Sequence, residues 1–442
     1  MTAEHAQGRR AGAPFVLMVK PVGARCNLSC RYCYYLGTDA RLGQPAEGCM
    51  SEETLEALIR NYMESSPGPV VSFTWHGGEP ALAGLDFYRR AVALQKKYLP
   101  AGFSCWNSLQ TNGVLLDDDW CDFLAAERFD VGLSLDGTAE LHDACRPQAG
   151  GRGSGEDALA AARRLLRRGV RPDLLCTVTS DTARQPLAVY RTLRDLGTGW
   201  MQFLPIVRRT PDGRVTPDSV SPESYGAFLC DVFDEWVRHD TARTGVQIFA
   251  EAMRALGGGE PTLCTMAPVC GRALVVEKDG SVYSCDHYVR PEYRLGNVCT
   301  DRLADLADAP RQLAFGRAKR DTLPARCKAC RFLPLCGGGC PKDRFPAENG
   351  RERPISAKGC CTFSPARRGG CASCSACRRA AFPRRRRSAP CASGSAVSGR
   401  MWGATIPAPA GAGKRRKNAA GTVGPEAPGA RCSAAERLIH HR

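Results

Sequence analysis

Phe15-Val-Leu-Met-Val-Lys20 runs through Pro21-Val-Gly-Ala-Arg into Cys26-Asn-Leu-Ser-Cys30-Arg-Tyr32-Cys33-Tyr-Tyr35. The first six residues are apolar and β-branched and read as a strand. The loop after them puts three thiols at the spacing Cys-x3-Cys-x2-Cys, which is metal-ligand spacing. Three thiolates on one tight loop hold three irons of a four-iron, four-sulfur (4Fe–4S) cube and leave the fourth iron open to an outside ligand. An open position suits catalysis better than electron storage. Read alone, the spacing also fits a zinc site short of one ligand.

The pattern outward from this strand alternates strand and helix. Val70–Trp75, Cys105–Thr111, Asp130–Leu135, Leu174–Thr179 and Met201–Pro205 read as five more strands. Ser51 reads as an N-cap with Glu52 and Glu53 behind it, opening a helix to about Met63. Asp86–Tyr98, Asp117–Glu127, Asp157–Arg168 and Leu187–Leu196 read as further helices, and Ser221–Asp240 as one beyond the last strand. Such interleaving predicts an α/β fold with a parallel sheet, best met by a partial (β/α)6 barrel. In barrels of this kind the chemistry sits at the C-terminal ends of the strands.

After Gly257–Gly259 the texture changes. Cys264-x5-Cys270, then Cys285, then Cys327-x2-Cys330-x5-Cys336-x3-Cys340 form a dense ordered series among frequent Gly and Pro. A segment so rich in loops is expected to lean on metal for its stability. Structural zinc is one reading and iron–sulfur the other. Cysteines 49, 105, 121, 145, 176, 230 and 299 lack ligand spacing and read as small buried hydrophobes.

The chain carries a formal charge of +16, but the charge is local. Residues 351–442 hold 19 of the 61 Lys and Arg and 3 of the 45 Asp and Glu, so residues 1–350 hold 42 of each and are neutral. The basic balance therefore says nothing about partners of the body, and no nucleic acid is expected there. A protein binding nucleic acid through this tail is the reading from another functional class. Met1–Pro14 lack the apolar core of a signal peptide, and no stretch is long enough to span a membrane. A cytoplasmic, reducing setting is expected, with thiols committed to metal rather than to disulfides.

Several further motifs carry a family resemblance. His76-Gly77-Gly78-Glu79-Pro80 closes the second strand, Ser134-Leu135-Asp136-Gly137 ends the fourth, Arg146 follows His142-Asp143, and Leu204 ends the sixth. With Tyr32 before the third cysteine, the chain resembles the radical S-adenosylmethionine (SAM) superfamily. The resemblance implies that Cys26, Cys30 and Cys33 hold a cluster whose open iron binds SAM, which one electron cleaves to a 5′-deoxyadenosyl radical. It also implies that Tyr32, Gly77, Gly78, Glu79, Ser134, Arg146 and Leu204 bind that cofactor: Glu79 at the methionine ammonium, Ser134 at the ribose, Arg146 at the carboxylate and Leu204 at the adenine.

The second cysteine series resembles the SPASM domain. By that resemblance Cys264, Cys270, Cys285 and Cys340 hold one auxiliary 4Fe–4S cluster. Cys327, Cys330 and Cys336 hold a second, with one more cysteine downstream. The stretch Cys264–Asn297, with Glu277-Lys-Asp-Gly280 and Cys285-Asp286-His287, and the stretch Gly337–Arg344 resemble anaerobic sulfatase-maturating enzymes over about residues 13–346. That family oxidises a Cys or Ser of a sulfatase, within Cys/Ser-x-Pro/Ala-x-Arg, to Cα-formylglycine. The resemblance makes Asp286 the base, an auxiliary cluster the electron acceptor, and a ferredoxin or flavodoxin the donor. A SPASM-type maturase that crosslinks a ribosomal peptide is the alternative within enzymes.

These readings divide the chain into a disordered 1–14, a barrel at 15–240, an auxiliary-cluster domain at 241–350 and a disordered basic tail at 351–442. The family pattern breaks near Phe345–Gly350, where a Leu-Cys-x-Gly segment should bring the eighth auxiliary cysteine. Only Cys360 and Cys361 stand nearby. The tail's Arg, Ala, Gly and Pro are what a GC-rich gene gives out of frame. Ile355–Ser364 is encodable so that another frame reads Leu-Cys-Glu-Gly.

Overall fold

The computed structural model describes residues 9–345 and the short strand 353–354. Val16–Val19 (β1), Val70–Trp75 (β2), Ser104–Thr111 (β3), Asp130–Ser134 (β4), Asp173–Val178 (β5) and Trp200–Pro205 (β6) form the six strands that the pattern predicts. They lie side by side in chain order and pair in parallel throughout. β1 and β6 do not pair with each other, so the sheet stays open. Gly245–Val246 (β7) adds to β6 in parallel. Ala273–Val276 (β8) adds to β1 in parallel. Ser281–Tyr283 (β9) and Arg294–Asn297 (β10) continue antiparallel from β8. Strands from beyond residue 240 thus hydrogen-bond to both edges of the barrel sheet, in a region whose composition suggested mainly loops.

The helices begin where their caps dictate. Ser51 accepts from the Thr54 N–H at the head of Glu52–Ser65, and Asp117 from Trp120 at Asp118–Ala126. Ser221 accepts from Ser224 at Pro222–His239, where Pro222 supplies a first-turn φ. The helices cover one face of the sheet. Leu17, Val19, Val71, Phe73, Trp75, Leu109 and Val131 alternate onto that face and join one apolar core with the Glu52–Ser65 and Leu85–Tyr98 helices. Leu133, Leu174, Cys176, Met201 and Phe203 build a second core with the Pro186–Asp195 and Pro222–His239 helices. The intervening residues face the other way; on β3 and β4 they carry polar groups, whereas Met18 of β1 joins a small apolar cluster with Val275 and Tyr35. Ser108 Oγ donates to Thr74 Oγ1 (3.2 Å) and Gln110 Nε2 to Ser134 Oγ (3.1 Å). An apolar outer face against the helices and polar groups on the inner face of β3 and β4 suit a half-barrel around a polar ligand. Among the described residues no helix is long and apolar enough to cross a membrane.

Candidate active site

The loop bearing Cys26, Cys30 and Cys33 hangs between the ends of several strands. The Leu28 N–H donates to Cys26 Sγ at 3.4 Å, and Asn112 Nδ2, just past β3, approaches it at 3.8 Å and donates to Asn27 Oδ1 at 2.8 Å. Ser29 and Arg31 N–H groups donate to the Pro147 and Cys145 carbonyls beyond β4. The three thiols lie within electrostatic reach of one another. Burial pushes the Cys26 thiol up to about 12 and raises Cys30. Thiols this reluctant to ionise become thiolates only beside strong positive charge, such as bound iron. Among the described residues no three His, Cys, Asp or Glu side chains converge on the position of a single ion.

The Gly77-Gly78-Glu79 strap grips this loop. Gly78 and Glu79 N–H groups donate to the Gly23 and Arg25 carbonyls at 2.9 and 2.8 Å. A Cβ on Gly78 would lie 2.1 Å from the Arg25 carbonyl oxygen. The close approach expected of these glycines is therefore made to the cluster loop's own backbone. Glu79 is buried at 1 % exposure. Its Oε1 accepts from Thr111 Oγ1 (2.7 Å) and the Ala81 N–H (3.0 Å), and its Oε2 from the Asn112 N–H (2.8 Å). Burial raises its carboxyl to about 7 in spite of those donors. Oε2 keeps acceptor capacity for one more donor.

Tyr32 and Arg146 meet at a residue that the sequence reading quoted without giving it a role. Asp136, fully buried, accepts from Arg146 Nε (2.8 Å) and Nη2 (3.2 Å), from the Thr177 N–H (2.8 Å) and from the Tyr32 hydroxyl. Burial opposes its charge, but the Arg146 guanidinium overrides this and holds the carboxyl below its ordinary range. The guanidinium expected at a ligand carboxylate is thus anchored through Nε and Nη2 by Asp136, beside Cys30. Leu204 stands 40 % exposed at the end of β6, although Phe203 and Gln202 beside it are buried. Ser134 ends β4 against Gln110.

Asp286 lies where β9 returns toward the barrel mouth. Lys20, the residue after β1, places Nζ 2.5 Å from its Oδ1, with side-chain exposures of 0 % for Lys20 and 11 % for Asp286. The Tyr34 hydroxyl donates to Oδ2. Lys20 also reaches His76 Nδ1 (3.2 Å) and sits 4.1 Å from the centre of the Tyr35 ring, whose hydroxyl donates to Glu277. Burial disfavours the Asp286 carboxylate, yet the Lys20 ammonium holds it ionised well below the usual range. Burial keeps His76 neutral, near 4. Lys20, Tyr34 and Asp136 escaped the sequence reading. A lysine ending an apolar strand was the one available signal for Lys20.

The later cysteines gather into two groups. Cys264, Cys270, Cys285 and Cys340 act electrostatically on one another, as do Cys327, Cys330 and Cys336. Burial lifts the Cys340 thiol to about 12 and raises Cys270, Cys285 and Cys336. Cys360 and Cys361, and the tail expected to be disordered, lie outside the described residues. Of the cysteines read as buried hydrophobes, Cys121 and Cys176 are buried but Cys49 and Cys299 are exposed. Both lie in loops whose buried positions are taken by their neighbours Met50 and Val298.

Comparison with known proteins agrees with this geometry. The family described as the radical SAM superfamily matches residues 21–190, and the SPASM family, an iron–sulfur cluster-binding domain, matches residues 264–331. The serine-type anaerobic sulfatase-maturating enzyme of Bacteroides thetaiotaomicron is 42 % identical over 347 residues, 75 % of this chain and 84 % of that protein. The chain belongs to the anaerobic sulfatase-maturating enzymes. A cysteine-type member of the same family, from Clostridium perfringens, is 33 % identical over 76 % of this chain and 91 % of its own length. The solved structure of native anSMEcpe with bound AdoMet and Cp18Cys peptide superposes with a TM-score of 0.72 at 32 % identity, covering 79 % of this chain and 96 % of that one. The SPASM match takes in Cys264, Cys270, Cys285, Cys327 and Cys330.

Proposed function

We propose that this chain oxidises a Cys or Ser in a sulfatase polypeptide, within a Cys/Ser-x-Pro/Ala-x-Arg motif, to Cα-formylglycine in the cytoplasm. The observation that carries the reading is Asp286: an ionised carboxylate clamped at the barrel mouth by Lys20 and Tyr34, one residue from Cys285. Cys26, Cys30 and Cys33 would hold the SAM-binding cluster. Cys264, Cys270, Cys285 and Cys340 would hold one auxiliary cluster, and Cys327, Cys330 and Cys336 part of a second. Glu79, Ser134, Arg146 and Leu204 would contact SAM. When bound, these groups supply a hydrogen-abstracting radical and a sink for one electron, drawn and replenished through a donor such as ferredoxin or flavodoxin.

The chain's own residues handle the proton. Oxidation of the target removes a hydrogen atom from Cβ, an electron, and the proton of the thiol or hydroxyl. A serine then becomes the aldehyde directly, and a cysteine becomes a thioaldehyde that water converts to the aldehyde and hydrogen sulfide. Asp286 Oδ2 takes the proton, because Lys20 occupies Oδ1 and the half-exposed Tyr34 is the displaceable partner.

Anaerobic reconstitution with SAM, a reductant and peptides carrying Cys-x-Pro-x-Arg or Ser-x-Pro-x-Arg tests the reading. Mass spectrometry should find 5′-deoxyadenosine and a peptide aldehyde. Asp286→Asn should keep deoxyadenosine formation and lower aldehyde by at least about 100-fold, the typical contribution of a positioned base. Deoxyadenosine without aldehyde from the wild-type enzyme would move the substrate to another peptide class.

A further inference from the structure

Three lysines are buried among the described residues: Lys20, Lys278 and Lys319. A buried ammonium needs compensation, because leaving water costs it several kcal/mol or more. Lys20 pairs with Asp286 and Lys278 with Asp39. Lys319, at 0 % exposure, pairs with no carboxylate among the described residues. Its Nζ donates instead to three backbone carbonyls of one turn: Cys264 at 2.6 Å, Thr265 at 2.9 Å, and Ala267.

The surroundings of that turn are built around this contact. Lys319 lies in the last turn of the Pro310–Asp321 helix. Three residues earlier on the same face, Gly316 lets the helix touch the second cysteine of the group. Its carbonyl accepts from the Cys270 N–H at 3.3 Å, and a Cβ there would lie 2.2 Å from the Cys270 carbonyl. From the other side Gly337 presses on the turn, with room for no Cβ against the Met266 carbonyl. Arg344 donates to the Lys319 carbonyl at 2.5 Å and completes the cradle. The sulfurs of Cys264, Cys270 and Cys340 lie within electrostatic reach of Lys319, as does the like-charged Arg344.

We propose that Lys319 is a positioning residue of the first auxiliary cluster, a buried counter-charge that fixes the Cys264–Ala267 turn and raises that cluster's reduction potential. The inference rests on reading Cys264, Cys270, Cys285 and Cys340 as its ligands. A cube held by four thiolates is a net anion, which supplies the compensation that Lys319 lacks. Reduction adds one more negative charge, and a fixed ammonium beside the cube favours that state. A raised potential suits a site that must accept an electron from the substrate.

The test uses full-length protein reconstituted without oxygen, and compares wild type with Lys319→Met, Lys319→Gln and Lys319→Arg. The readouts are iron content and an electron paramagnetic resonance redox titration. In Met and Gln variants one auxiliary couple should move to more negative potential, the couple of the SAM-binding cluster should stay in place, and Arg should restore the wild-type value. Failure of both uncharged variants to load an auxiliary cluster that the Arg variant loads would equally support a need for charge. Unmoved couples in loaded variants would overturn the proposal, as would equal shifts of every couple or loss of the cluster in all three variants. Wild-type protein holding only about four irons would instead sink the ligand assignment, and the proposal with it.

Discussion

Replacing Lys20 by Met tests whether the Asp286 carboxylate is held by charge. Met nearly matches the apolar stem of Lys, so the perturbation is electrostatic. In the wild type, Nζ stands 2.5 Å from Oδ1 with both side chains almost wholly out of solvent. Two unit charges about 4 Å apart, a fair separation for the charge centres, attract by roughly 4 kcal/mol at an effective dielectric of about 20. Removing one partner of a buried pair typically costs about 3–5 kcal/mol, because the other charge stays behind. The same residues fix the sign of the pH dependence. In the wild type the folded Asp286 pKa is depressed, so its contribution to stability is present above the unfolded value and lost as pH falls through the folded one. In Lys20→Met only the Tyr34 hydrogen bond is left against burial, so the pKa rises and the variant recovers relative stability as pH falls and Asp286 takes up a proton. The assay is anaerobic denaturant unfolding of reconstituted protein at pH 8 and pH 5.5, with Asp286→Asn and the double variant completing the cycle. Lys20→Met should lose more at pH 8. The double variant should recover a large part of the loss, since no charge is then stranded. A cost below about 1 kcal/mol at pH 8, the range of exposed ion pairs, with additive single variants, would refute the reasoning.

Other consequences are equally direct. Gly78→Ala forces a Cβ against the Arg25 carbonyl and should displace the cluster loop, at about 1–3 kcal/mol, read as lost iron from the SAM-binding cluster with auxiliary iron retained. The Glu79 carboxyl is raised by burial from 4.5 to about 7, so the folded protein holds a proton that the unfolded chain releases. Stability should therefore fall between about pH 4.5 and 7 by up to ~3 kcal/mol from this group, and Glu79→Gln should flatten that slope in unfolding measurements. Sequencing the gene around codon 356 should show a Leu-Cys-x-Gly segment in another frame; its absence from all frames would make the tail a genuine feature of the chain.

The spacing of apolar residues placed six strands and their helices to within a residue or two, because strand alternation and helix periodicity are local patterns and three of the helices also open on a side-chain cap. The spacing of Cys26, Cys30 and Cys33 marked a candidate ligand loop for a similar reason, since it lies within eight residues, whereas the grouping of Cys264, Cys270, Cys285 and Cys340 came only from the family resemblance. Local signals ended at residues 241–345. There β8 to β10 are short, and their place is set by pairing with β1, more than two hundred residues away in the chain. The partners of Asp286 were equally hidden. Lys20 and Tyr34 meet it only because β8 lies beside β1, so a positive charge from the first strand and a hydroxyl from the cluster loop close on one carboxylate. Asp136 became the hub for Tyr32 and Arg146 through a turn that sequence spacing alone could not aim. Sequence determined which groups the protein owns, because ligand identity and strand pattern are local properties. Tertiary structure decided which charges are buried together, because burial and pairing depend on every element packed around them.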